Sequence, residues 1–117
     1  MAYLFGSVAR GEEMEESDVD IAVLFDKKVG SQDYLRLEGE LIGLFGGYYP
    51  GKEINIVNLN IAPPLLAHSA VVEGKTIYEK NILTRILFEN KTLHGYEDYR
   101  HLSGIYNQIL TERINAI

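Results

Sequence analysis

The sequence predicts a small mixed α/β domain with a helical tail. Three observations predict it. Short runs rich in β-branched and aromatic residues recur at residues 2–5, 18–25 and 53–59. Segments with helical spacing lie between and after them, at about 31–45 and 64–73. From Asn81 to about Ile114 the pattern is helical again. A core to about residue 79 and a tail from about residue 80 make one domain of 117 residues. A chain of that size buries roughly two-thirds of its unfolded surface.

The first run, Ala2-Tyr3-Leu4-Phe5, reads as a short apolar strand. Gly6 then lets the backbone turn sharply and approach a ligand. Ser7-Val8-Ala9-Arg10 can begin a short helix with Ser7 near its N-terminus. Free N–H groups and the dipole at such an end bind phosphate. Ser7 adds a hydroxyl, and Arg10 adds a candidate phosphate clamp. Glu12, Glu13, Glu15 and Glu16 read as a solvated loop.

Asp18 and Asp20 open the second strand, just ahead of Ile21-Ala22-Val23-Leu24-Phe25. Residues i and i+2 of a strand share a face, roughly 6–7 Å apart. Two carboxylates so placed repel each other unless a cation lies between them. Mg²⁺ suits that seat, because it binds through one or two carboxylates plus substrate phosphates. The stretch from Gly6 to Asp20 thus pairs a phosphate cradle with a metal seat.

The next helix runs from a cap at Ser31 or Asp33 to about Phe45, with Gly46-Gly47 as its stop. Leu35, Glu38, Ile42 and Phe45 lie near one face, with Leu37, Leu41 and Leu44 beside them, so the stripe is broad. Tyr48-Tyr49-Pro50-Gly51 is a turn. Glu53–Leu59 reads as a third strand. Pro64 starts a helix closed by Gly74, and Lys75–Tyr78 is a short edge strand. Gly95 and Gly104 are expected to break or kink the tail helix. Tyr96, Tyr99 and Tyr106 fall near one face of it, where they pack or meet a partner. His68, His94 and His101 have no metal-ligand spacing.

Composition narrows the function classes. With 46% hydrophobic and 24% charged residues the chain is that of an ordinary globular protein. It has no cysteine, so neither disulfides nor thiolate metal sites arise, which suits a cytoplasmic setting. No apolar run approaches the roughly 20 residues of a membrane span, and no signal peptide is evident. The net charge of −6 argues against direct nucleic-acid binding, which rests on Lys and Arg neutralising phosphates. It suits docking on a basic partner.

The segment GSVARGEEMEESDVD resembles the signature of the polymerase-beta-like nucleotidyltransferases, a Gly-Ser pair followed at fixed spacing by Asp-x-Asp. It is most similar to the minimal nucleotidyltransferase group. The flanks AYLFGSVARGE and SDVDIAVLF fit the same pattern. INIVNLNIAPPLLAHSAVVEGKTIYE resembles the group's second half, and FENKTLHGYEDYRHLSGIYNQILTERI its C-terminal helices. The resemblance covers essentially the whole chain. It implies a small mixed sheet with helices on one side. It also implies Mg²⁺-dependent transfer of AMP from ATP to a hydroxyl, with Asp18 and Asp20 on the metal and Gly6, Ser7 and Arg10 on the nucleotide. The group is commonly paired with a HEPN-type toxin, which some members adenylylate on tyrosine.

The family's third carboxylate, on a neighbouring strand, matches Asn55 here. An amide takes no proton at neutral pH and brings no charge to the metal. Glu53, two residues earlier, is a candidate substitute. Two further readings therefore stand beside the enzyme. One is an antitoxin that acts by contact with little or no catalysis. The other is a small-molecule nucleotidyltransferase of the aminoglycoside type, for which the chain has little room. The family usually has a helix before its first strand, whereas here the strand begins almost at Met1. Some apolar sheet surface is then expected to lack a cover that a second copy or a partner protein would supply.

Overall fold

A computed structural model describes residues 1–6, 11 and 18–116. Ser7 and Arg10, and the glutamates between Gly11 and Asp18, lie outside the described residues. Strands β1 (Ala2–Phe5), β2 (Val19–Val23), β3 (Ile54–Asn58) and β4 (Lys75–Tyr78) form one sheet in the order β3-β2-β1-β4. β1 is antiparallel to both β2 and β4, whereas β2 and β3 run parallel. Parallel neighbours need a crossover. Helix α1 (Tyr34–Gly46), entered through a 3₁₀ turn at Ser31–Asp33, provides it.

Strand alternation sends side chains to two separate cores. Ala2, Val19, Ile21, Val23 and Ile54 pack on one face with Leu41, Phe45 and Tyr49. Tyr3, Phe5 and Ala22 pack on the other with Ala67 and Ala70 of helix α2 (Pro64–Glu73) and Phe88 of helix α3 (Ile82–Asn115). Helices therefore cover both faces of the sheet, not one side as the resemblance implied. The reason lies in β1 and β2, whose residues are apolar on both faces and need cover on each.

The breadth of the α1 stripe is also corrected. Leu41 and Phe45 join the core, while Leu35, Ile42 and Leu44 are exposed. At its start Asp33 makes no side-chain cap; it pairs with Arg36 at 3.5 Å.

The tail is one continuous helix of 34 residues, unbroken at Gly95 and Gly104. A lone glycine costs a helix only about 1 kcal/mol. Asn81 caps α3, its Oδ1 accepting from the Thr84 N–H at 2.8 Å. Glu89 then accepts a 2.8 Å hydrogen bond from the Tyr3 hydroxyl, and Arg85 pairs with both Glu79 and Glu89. These contacts fasten the first third of α3 to β1 and β4. At 1.5 Å per residue the helix is about 51 Å long, which sets the 57 Å long dimension of the molecule. The 17.2 Å radius of gyration exceeds the ~13 Å of a compact chain this size for the same reason.

The uncovered sheet surface is not on β1 or β2. It is on the edge strand β4, all four of whose residues are exposed.

Candidate functional site

The parallel pairing of β2 with β3 builds the site. Its register places Asp20 beside Asn55. Val19 N–H, bonded to the Glu53 carbonyl at 2.9 Å, extends the pairing by one step towards Asp18. Asp18 and Asp20 share a face by strand alternation, and Asn55 shares it with them. The Asn55 Nδ2 lies 3.4 Å from Asp18 Oδ2 and 3.3 Å from Asp20 Oδ1, donating weakly to both. Asp18 is exposed and Asp20 half-buried, so the pair lies where the sheet meets solvent.

On the other flank, β1 pairs Phe5 with Asp20 and so brings Gly6 against the Asp20 carboxylate. Gly6 has φ +77°, in the left-handed region. A Cβ there would collide with Asp20 Oδ2 and come within 3.2 Å of its Cγ. Gly6 is thus required twice, by the turn and by the close approach.

The far end of the same strands is locked by Asn60. Its Oδ1 accepts from Phe25 N–H at 2.8 Å, and its Nδ2 donates to the Phe25 carbonyl at 3.1 Å. Leu59 N–H also bonds the Val23 carbonyl at 2.8 Å. These bonds hold β2 and β3 in register at the end away from the carboxylates. Asn60 lies just past the strand expected at Glu53–Leu59, and the two asparagines at that strand's end, Asn58 and Asn60, were the available signal.

Hard oxygen donors are what Mg²⁺ takes. Two carboxylates converging on one amide fit such an ion, with the amide offering its oxygen once turned over. They fit it with one negative charge fewer than three acids would supply. Among the described residues no three His, Cys, Asp or Glu side chains come together. Glu53 precedes β3 and is exposed. The three histidines stay apart from the site: His68 stacks on Tyr96 at 3.7 Å, and His94 and His101 are exposed on α3.

Comparisons with known proteins give the family and the fold. The family described as polymerase beta, nucleotidyltransferase matches residues 1–83. MntA of Aphanizomenon flos-aquae, a protein adenylyltransferase, is 34% identical over 85 residues, covering 68% of this chain and 57% of MntA. The Methanocaldococcus jannaschii protein MJ0435 is 40% identical over 65 residues, 56% of this chain and 64% of that one. The chain therefore spans about three-fifths of the length of the curated relatives it matches. Among solved structures, a toxin–antitoxin crystal structure with AMP-PNP superposes with a TM-score of 0.68 at 26% identity, over 97% of this chain and 84% of that one. A Shewanella oneidensis complex of an MNT antitoxin with a tri-AMPylated HEPN toxin gives 0.61 at 25% identity, over 97% and 81%. No described helix is long and apolar enough to cross a membrane. With a family match over most of its length, and with paired aspartates beside a glycine turn, the chain belongs to the polymerase beta nucleotidyltransferase family.

Proposed function

We propose that this chain is an antitoxin that binds ATP with Mg²⁺ and transfers AMP, slowly, to a hydroxyl of a HEPN-type toxin. The convergence of Asp18 and Asp20 on Asn55 carries the reading. The adenylyltransferase activity named for MntA and the AMPylated toxin of the Shewanella complex support it. Asp18 and Asp20 would hold the metal, and Gly6, Ser7 and Arg10 would receive the triphosphate. A metal ion held there would offset the charge of the triphosphate and of the reacting oxygens. The acceptor hydroxyl oxygen bonds to the α-phosphorus, the bond to the bridging oxygen breaks, and pyrophosphate leaves. Asn55 orients the two carboxylates but takes no proton, so the hydroxyl proton passes to solvent. Forgoing a general base costs about 10²–10⁴-fold in rate.

A second reading is favoured by the same residue. With an amide in place of the third acid, the chain neutralises its toxin by contact, and nucleotide binding serves the complex instead of the transfer. Intact-mass measurement separates the two. The chain is incubated with Mg²⁺, ATP and a HEPN-type protein. A gain of AMP units on that protein supports the transferase. A stable complex with no gain supports the contact antitoxin. Neither gain nor complex rejects both.

A further inference from the structure

The distal half of α3 carries an apolar face that the other described residues leave exposed. Phe88 packs into the core and Tyr96 stacks on His68. Tyr99, Tyr106 and Leu110 continue that line in helical steps. They are flanked by Leu102, Ile105, Ile109 and Ile114. All seven are exposed, Leu102 and Tyr106 by 66% and Ile114 by 59%. Gly104, Asn107, Gln108, Thr111 and Asn115 lie on the opposite side. The distal half thus turns large apolar side chains to solvent on one side and polar ones on the other, an arrangement that leaves the apolar side without cover among the described residues.

We infer that this face pairs with the same face of a second copy, antiparallel, about a twofold axis between Ile105 and Tyr106. Charge selects that occupant. Asp98 and Arg113 stand near opposite ends of the stripe, about 22 Å apart along the helix. Among the described residues neither has an ion-pair partner within the chain. Reversing the helix about that axis sets Asp98 of each copy opposite Arg113 of the other. The same register sets Leu102 opposite Ile109 and Ile105 opposite Tyr106. One operation thus matches both charges and the apolar centre, as an isologous interface requires. Seven large exposed side chains also offer an area on the order of the ~800 Å² per partner that a specific interface buries.

The test is light scattering on the full chain alone, across micromolar concentrations. The expected mass is twice the 13.2 kDa of one copy. Asp98→Arg or Arg113→Asp turns two symmetric attractions into repulsions and weakens dimerisation about tenfold. The double variant restores the pair with its signs exchanged and recovers the dimer. All three variants retain native helicity, because both residues are exposed. The chain has no cysteine of its own, so Leu102→Cys with Ile109→Cys reports register by forming an oxidised dimer. Leu102→Cys alone does not, since the two copies of that position are offset beyond disulfide reach. A single-copy mass at every concentration overturns the inference, as does a dimer indifferent to both charge reversals. So does a single-copy chain whose charge reversals instead release the HEPN protein, because the face then belongs to that partner.

Discussion

The carboxylate end of the sheet and the distal half of α3 use similar side chains under opposite conditions. Around Asp20 the described neighbours are fixed: Phe5 and Gly6 on one side, Asn55 on the other, and Val19 and Ile21 fully buried. Beyond Tyr96, isoleucines, leucines and tyrosines stand in solvent on a helix held only at its other end. An isoleucine thus serves as core in one region and as surface in the other. Burial, not residue type, determines which changes harm the fold and which harm an assembly.

Several substitutions sharpen that contrast. The largest effect is expected at the site. Asn55→Asp restores a proton acceptor and a third negative charge, and AMP transfer rises about 10²–10⁴-fold in a radiolabel assay. An unchanged rate would show that the amide is not what limits the reaction. In the core, Ile21→Ala removes a fully buried side chain and lowers unfolding free energy by about 2–5 kcal/mol in urea titration.

Gly6→Ala is expected to cost about 1–2 kcal/mol for its left-handed backbone. It also displaces the Asp20 carboxylate, so ATP–Mg²⁺ affinity falls in calorimetry by more than the stability loss explains.

Tyr3→Phe deletes the hydrogen bond to Glu89 and costs roughly 1 kcal/mol. Burial first, and then the Glu89 carboxylate, push the Tyr3 phenol well above its ordinary range. The folded chain therefore holds this proton more tightly than the unfolded chain does. That stabilisation is complete below about pH 10 and erodes as pH rises further. The natural chain should lose melting temperature above about pH 10 with a slope that Tyr3→Phe makes shallower. Smallest of all, Leu102→Gln on the exposed stripe should change single-copy stability by less than about 0.5 kcal/mol, while removing one of the apolar contacts proposed between copies.

Much of this was legible in the sequence because local chemistry and tertiary context agree. β-Branched runs gave β2 and β3, Gly46-Gly47 ended α1, Pro64 and Gly74 bounded α2, and Asn81 capped α3. Asp18 and Asp20 share a face as their spacing implied, and Asn55 meets them where the family resemblance placed it, because parallel register aligns 20 with 55. Three things were not legible. Which helix covers which face of the sheet depends on how the crossovers pack, and the short apolar strands do not encode that. The continuity of α3 through Gly95 and Gly104 reflects a helix that outweighs two local penalties. The Tyr3–Glu89 bond joins residues 86 positions apart, beyond any local pattern.

The seat of Asn55 also bears on how such chains diverge. Asparagine and aspartate have nearly the same shape, and their codons differ only at the first base. Position 55 already faces both aspartates across an intact register. A chain with an amide here and one with an acid here are therefore neighbours in mutational space, with no repacking between them. A lineage can cross that step in either direction while its scaffold, its glycine turn and its long helix go on being inherited unchanged.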